Sequence, residues 1–157
     1  MILTLTLALA APSVDVTAEG VVRGEVVVST PPEQVMERMK ASGSRAKAMA
    51  STAKITAEPA GDCELEHVFI SNTIKDVSYD IRTCATDMKV HSTLVSSDDF
   101  TDFVATWRFA PADGGTRITY DLTMVPSFYV PGFVIKAQAK KGVLEALQGI
   151  EKTFGGA

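Results

Sequence analysis

The chain has 157 residues, 46% hydrophobic and 22% charged, with a formal net charge of −4. That composition excludes a disordered chain, and the length fits one domain whose core forms without a metal or disulfide framework. An acidic chain (pI ≈ 5.1) whose densest basic pair is Lys140-Lys141 excludes nucleic acid as a partner, because that affinity depends on clustered Lys and Arg.

Residues 1–14 carry no charged side chain, and Ile2 to Ala11 form an apolar stretch well short of the roughly 20 residues a membrane-spanning helix needs. Ala8-Leu9-Ala10 is a small-x-small pattern, so residues 1–10 read as a signal peptide cleaved after Ala10, without the usual basic start. The expected location is periplasmic or secreted. A start placed too late would leave the protein cytoplasmic.

Val22 to Ser29 is rich in β-branched residues and predicts a strand. Thr30-Pro31-Pro32-Glu33 then predicts a helix capped by the Thr30 hydroxyl, with Pro31 in its first position and Glu33 closing a capping box. That helix runs to about Ala41. Ser42-Gly43 breaks it, and a second short helix spans Ser44 to about Thr52.

From residue 53 the pattern becomes a series of strands: Lys54–Ala57, Cys63–Ser71, Lys75–Cys84, Met88–Val95, Thr101–Ala110 and Thr116–Val125. The last two form a hairpin around Asp113-Gly114, a favoured tight-turn pair. Centred there, Phe109 pairs with Ile118, Trp107 with Tyr120, Ala105 with Leu122 and Phe103 with Met124. All eight share one apolar face, opposite a polar face of Arg108, Thr106, Thr119, Asp121 and Thr123.

The hairpin between Cys63 and Cys84 is open to two registers. One pairs Val68 with Tyr79 and sets the cysteines opposite each other, as a disulfide requires. The other, slipped by one residue, puts them on opposite faces. A disulfide and two buried thiols are therefore both open. Two Cys and two His at irregular spacing match no metal-ligand pattern, and no metal or other cofactor is expected.

Pro126 and Pro131 bracket a loop with Phe128 and Tyr129. A long helix from about Gly132 to Phe154 follows, with Phe133, Ala137, Val143, Leu144, Leu147, Ile150 and Phe154 in a broad stripe. Lys136 and Lys140 point toward that stripe and are expected to snorkel past it. Gly155-Gly156 ends the helix.

One strand, two short helices, a run of antiparallel strands and one long helix suggest a curved sheet gripping a helix. Local residues add a resemblance. Trp107, Pro111, Gly114-Gly115-Thr116, Ile118, Tyr120, Pro126, Pro131, Leu144 and Leu147 resemble the C-terminal half of the START-like polyketide cyclase and lipid-transport superfamily (SRPBCC, helix-grip fold). Val26 to Met39 resembles its opening strand and helix start. The resemblance implies an α+β helix-grip domain over 18–157, with two short helices after the first strand.

It also implies a cavity between sheet and C-terminal helix for a lipid, sterol or polyketide-like ligand. The lining would come from Tyr79, Trp107, Tyr120, Leu122 and Met124 in the sheet, Phe128 and Tyr129 in the loop, and Phe133 and Ala137 in the helix. Without the resemblance, the same apolar stripes suit a plain core. The Phe128–Phe133 segment suits a gate, a plug or a transient membrane contact.

Catalytic signals are sparse. His67 and His91 read as strand histidines, structural or solvated. Glu64 and Glu66 read as a wet strand face. No nucleotide-binding or nucleophile-elbow motif is present. The expected function is therefore non-catalytic binding or carriage of a hydrophobic small molecule by a monomer. The alternatives are a cyclase or aromatase using Tyr79, His67 or Tyr120 as acid or base, and a protein-interaction module with a filled core.

Overall fold

The structure, a computed structural model, describes residues 11–71 and 74–155. The expected signal peptide at 1–10 lies outside the described residues. The described chain runs β1 (Ser13–Val16), β2 (Val22–Val28), α1 (Pro32–Met39), α2 (Ser42–Ala48), β3 (Lys54–Ala60), β4 (Cys63–Ile70), β5 (Val77–Thr86), β6 (Lys89–Ser96), β7 (Phe100–Ala112), β8 (Gly115–Pro126) and α3 (Gly132–Phe154). The strands form one antiparallel sheet in the order β1-β2-β8-β7-β6-β5-β4-β3. It is the curved sheet, long C-terminal helix and helix pair of the helix-grip fold. The sheet starts at Ser13, ahead of the expected domain start at residue 18.

The β7–β8 hairpin has the register expected from its turn. Ala112 pairs with Gly115, so Asp113-Gly114 makes the connection, and Gly114 takes a φ of 75° that few side chains tolerate. Phe109, Trp107, Ala105 and Phe103 stand opposite Ile118, Tyr120, Leu122 and Met124. Period-2 alternation continues this concave inner face into neighbouring strands. It takes in Val22, Gly24, Val26 and Val28 of β2, Val90 and Ser92 of β6, Tyr79, Ile81 and Thr83 of β5, and Glu66 and Val68 of β4.

β4 and β5 take the register that sets Cys63 opposite Cys84, and the two form a disulfide. The physical reason lies at the other end of the hairpin. With Val68 opposite Tyr79 and Ile70 opposite Val77, the buried apolar residues of both strands (Val68, Val77, Tyr79 and Ile81) face inward, and Leu65 and Phe69 take the outer face. The slipped register would turn one strand's set outward. The bond closes a loop over a sequence separation of 21. Cys63→Ser/Cys84→Ser is expected to lose about 3 kcal/mol, the chain-entropy value for such a loop. Urea melts of wild type with and without reductant, beside the double variant, check this.

The start of α1 differs from the expected capping box. Pro31 is the N-cap and Pro32 the first helical residue. The Thr30 hydroxyl instead donates to the Phe154 carbonyl at 2.6 Å, while Ser29 N–H donates to the Gly155 carbonyl at 2.7 Å. Thr30 thus satisfies an end-of-helix carbonyl of α3 rather than an amide of α1. α2 starts at Ser42 rather than Ser44, because the chain break is only the short Lys40-Ala41 link.

α3 packs on β1, β2, β8 and α2. Its buried line is Ala139, Val143, Leu147, Ile150 and Phe154. Gly24 makes room on β2, since a Cβ there would stand 2.5 Å from Val143 and Leu147. Gly149 lets α2 approach, and a Cβ there would stand 2.2 Å from the Met49 carbonyl oxygen. Gly142, on the same helix, has nothing within 4 Å. The two glycines should respond to alanine with opposite signs. Gly149→Ala is expected to destabilise by roughly 1–3 kcal/mol, and Gly142→Ala to stabilise by up to about 1 kcal/mol. Paired thermal melts read both.

Candidate functional site on the concave face

Two aromatic pairs dominate the inner face. Trp107 and Tyr120 stack with ring centroids 4.0 Å apart and planes within 10°. Tyr79 stacks on Phe103 at 4.6 Å and meets Phe100 edge-on at 5.4 Å. Such pairs add about 0.5–1.5 kcal/mol beyond their buried area. Tyr79, Trp107 and Leu122 are buried, whereas Tyr120, Met124 and Phe128 are half-buried although the first two face inward.

Behind these rings lies a buried polar wall that the sequence reading missed. Arg45 of α2 donates from Nη2 to Glu66 Oε1 at 2.7 Å and from Nη1 to the Met39 carbonyl at 2.9 Å. Thr83 Oγ1 donates to Glu66 Oε2, and the Thr83 and Ser92 hydroxyls lie 2.7 Å apart. With the Thr83 proton directed to the carboxylate, Ser92 is the donor to Thr83, which leaves Ser92 Oγ a pure acceptor on its remaining side. Glu66 is 3% exposed, not the wet surface residue expected of it. The available signal was its phase. Glu66 falls in step with Val68 and Ile70, so the register that buries them buries it too. Glu64 is half-buried and accepts the Ser42 N–H.

Burial raises both phenols. Tyr120 is pushed up to about 12, mainly by desolvation. Tyr79 goes higher still, by desolvation and by the nearby Tyr120 and Glu66. Both are therefore neutral proton donors near pH 7. Among the described residues, no hydrogen bond reaches the Tyr79 hydroxyl, the Tyr120 hydroxyl or the Trp107 indole Nε1, and no fully buried side-chain N or O lacks a partner. These three polar tips therefore reach accessible space.

The structure does not gather Tyr129, Phe133 and Ala137 onto this face. Tyr129 is 92% exposed, Phe133 is 77% exposed, and Ala137 is exposed. The buried line of α3 begins at Ala139, so the turns before it have little beneath them. Lys136 and Lys140 are exposed for the same reason. Phe128, by contrast, folds back under the Lys75 ammonium, 4.7 Å from its ring centroid.

Asp99 fastens this corner. Its carboxylate takes the Lys75 ammonium at 2.8 Å and the Ser78 N–H at 2.9 Å, and its carbonyl takes the Ser127 N–H at 2.8 Å. The Lys75 hydrogen bond, then the Ser78 N–H, hold the Asp99 carboxyl below its usual value of 3.8. A depressed carboxyl contributes stability above its unfolded value and loses it as pH falls through the folded one. Wild type is accordingly expected to exceed Asp99→Asn in stability at neutral pH. The gap should close below pH 3.8, which denaturant melts across an acid series would track.

Both histidines sit on the convex outer face. His67 Nδ1 is 2.5 Å from Asp80 Oδ1, and His91 Nδ1 is 2.8 Å from Thr106 Oγ1. Desolvation first, then Lys89 and Arg108, lower His91. A shallow outer groove of about 380 Å³ runs beside His67, Asp80 and Val95. Neither histidine reaches the phenols inside.

The family model for polyketide cyclases/dehydrases and lipid transport matches residues 19–153. The chain belongs to that family. No curated protein matches its sequence. Among solved structures it is similar to a START superfamily protein from Mycobacterium smegmatis. That match has 14% identity and a TM-score of 0.71, covering 85% of this chain and 96% of the other. It is similar to human StAR-related lipid transfer protein 5 at 15% identity and TM-score 0.65, covering 91% and 80%. It is also similar to the Zhui aromatase/cyclase of Streptomyces sp. R1128 at 14% identity and TM-score 0.59, covering 84% of each chain. At these identities the likeness is one of fold.

Proposed function

We propose that this protein binds and carries an apolar small molecule with one hydrogen-bonding end, held on the concave face between the sheet and the first half of α3. The chief support is the set of three polar tips, Tyr79 Oη, Tyr120 Oη and Trp107 Nε1, that reach accessible space without a protein partner. Pockets for such ligands are mostly apolar with a few convergent polar groups. Leu122, Met124 and Phe128 supply the apolar side, and each ligand CH₂ covered contributes about 0.8 kcal/mol. Family membership adds weight to the same reading.

Carriage is favoured over a base-catalysed cyclase-type reaction by the protonation states. A general base works best with a pKa near the operating pH. The two inner phenols are pushed well above it, and both histidines lie on the other side of the sheet. We also place the protein outside the cytoplasm. The Cys63–Cys84 disulfide supports this, since such bonds persist in oxidising compartments.

The test is gentle organic extraction of the protein purified from its own cells, followed by mass spectrometry. One amphiphilic species at near-equal molar ratio, in protein from the periplasmic or secreted fraction, is the expected result. An empty protein with no thermal shift against fatty acids, sterols and aromatic polyketides would overturn the proposal.

A further inference from the structure

We propose that the convex face carries a second binding site, centred on His91, for a phosphate- or sulfate-type oxyanion. Arg82 and Cys84 of β5, Lys89 and His91 of β6, and Thr106 and Arg108 of β7 share the outer face of three adjacent strands. Lys89 stands directly opposite Arg108, and His91 stands between Cys84 and Thr106. Arg82 and Arg108 are therefore the diagonal neighbours of His91 on its two flanking strands, about 7–8 Å away and within reach of long side chains.

The charges on this patch are unbalanced. Like charges directly opposite each other destabilise a sheet, and Lys89 and Arg108 are such a pair. Arg108 Nη1 donates to Asp121 Oδ2 at 3.2 Å, while the same carboxylate takes Arg23 through Nε at 2.7 Å and Nη2 at 3.0 Å. Glu25, beyond Thr119, is taken by Arg117 at 3.1 Å. Among the described residues, no carboxylate lies within 4.0 Å of the Lys89 ammonium or the Arg82 guanidinium. Arg23, Arg82, Lys89 and Arg108 thus gather around Asp121 and His91 in a chain whose net charge is −4. The ring feels two of them: after desolvation, Lys89 and Arg108 lower His91.

The imidazole is also aimed. Its Nδ1 is 2.8 Å from Oγ1 of the buried Thr106, and among the described residues that hydroxyl has no other partner. In neutral His91 the Thr106 proton goes to Nδ1 and the ring proton to Nε2. In charged His91 both nitrogens carry protons. Nε2 is a donor in either state, and among the described residues no hydrogen bond reaches it. An imidazole N–H, an ammonium and two guanidinium forks suit an oxyanion that offers several acceptor oxygens and more than one negative charge. On an open sheet the ions stay partly hydrated, so a dissociation constant on the order of 1 mM is expected. This site lies on the other side of the sheet from the apolar ligand and does not depend on it.

The full chain, with its histidines isotopically labelled, would be titrated by NMR with inorganic phosphate, sulfate and phenyl phosphate. The pH and ionic strength stay fixed, with chloride making up the balance. The His91 ring signals should shift and saturate, while those of His67, beside Asp80 on the same face, stay still. A bound anion favours the charged ring, so the His91 titration midpoint should also rise in phosphate. Lys89→Gln/Arg82→Gln should weaken binding roughly tenfold. Both side chains are exposed, and thermal melts verify that the variant folds. Tighter binding of phenyl phosphate assigns the site to an organic phosphate and equal binding to a free anion, and either supports the proposal. A His91 that does not respond, equal shifts at His67, or binding that the double variant leaves unchanged would overturn it. So would a polyglutamate peptide that moves His91 where phosphate does not, by assigning the patch to an acidic protein.

Discussion

Glu66→Ala is expected to destabilise the fold by about 3–5 kcal/mol, the usual consequence of removing one partner of a buried ion pair. The substitution leaves the Arg45 guanidinium with the Met39 carbonyl as its remaining acceptor, and strands the Thr83 hydroxyl that had donated to the carboxylate. Glu66→Gln keeps the shape and the acceptor for Thr83, so it should fall between the two. Arg45→Met/Glu66→Leu should return close to wild type, because two charges taken from water recover little more than their desolvation cost. Urea denaturation of the four proteins makes the comparison. A Glu66→Ala loss below about 1 kcal/mol would show that water reaches the pair and that the polar wall is part of the surface.

If the double variant is stable, what the pair contributes is placement. Arg45 sits on α2 and Glu66 on β4, so the bond holds α2 against the concave side of a sheet half that α3 does not cover. It also fixes charges near Tyr120, where Arg45 and Glu66 act in opposite directions on the phenol. An apolar replacement would keep the fold and change the polarity that a ligand's hydrogen-bonding end meets.

Which features were legible in the sequence follows from how locally each is determined. The β7–β8 register was readable because Asp113-Gly114 fixes the turn and Trp107 then falls opposite Tyr120. The C-terminal half of α3 was readable because Val143, Leu147, Ile150 and Phe154 repeat at helical spacing and meet a sheet. The same spacing failed at Phe133 and Ala137, because periodicity tells which side of a helix is apolar but not where the supporting sheet ends. The Cys63–Cys84 pairing was undecidable locally and is settled by which face of β4 meets the core. Thr30 was misassigned because its partner, the Phe154 carbonyl, lies 124 residues away in the chain. Ser13–Val16 carries little strand signal of its own, because it is only four residues long and its partner β2 supplies the pairing.

Ala105→Trp is expected to abolish ligand uptake, on the order of a hundredfold, with little loss of stability. Ala105 stands on the inner face between Ser92 of β6 and Leu122 of β8, close to the acceptor end of the polar wall. An indole there occupies space that three or four ligand methylenes would fill, at about 0.8 kcal/mol each, which is about a hundredfold in affinity. Titration with a fluorescent long-chain fatty acid, beside a thermal melt of the same protein, separates the two readings of this face. If the face is a filled core, wild type binds nothing and the added ring overpacks it, costing roughly 1–3 kcal/mol. If it is a ligand site, wild type binds, the variant does not, and the melt barely moves, because the indole covers apolar surface that the ligand would otherwise have covered.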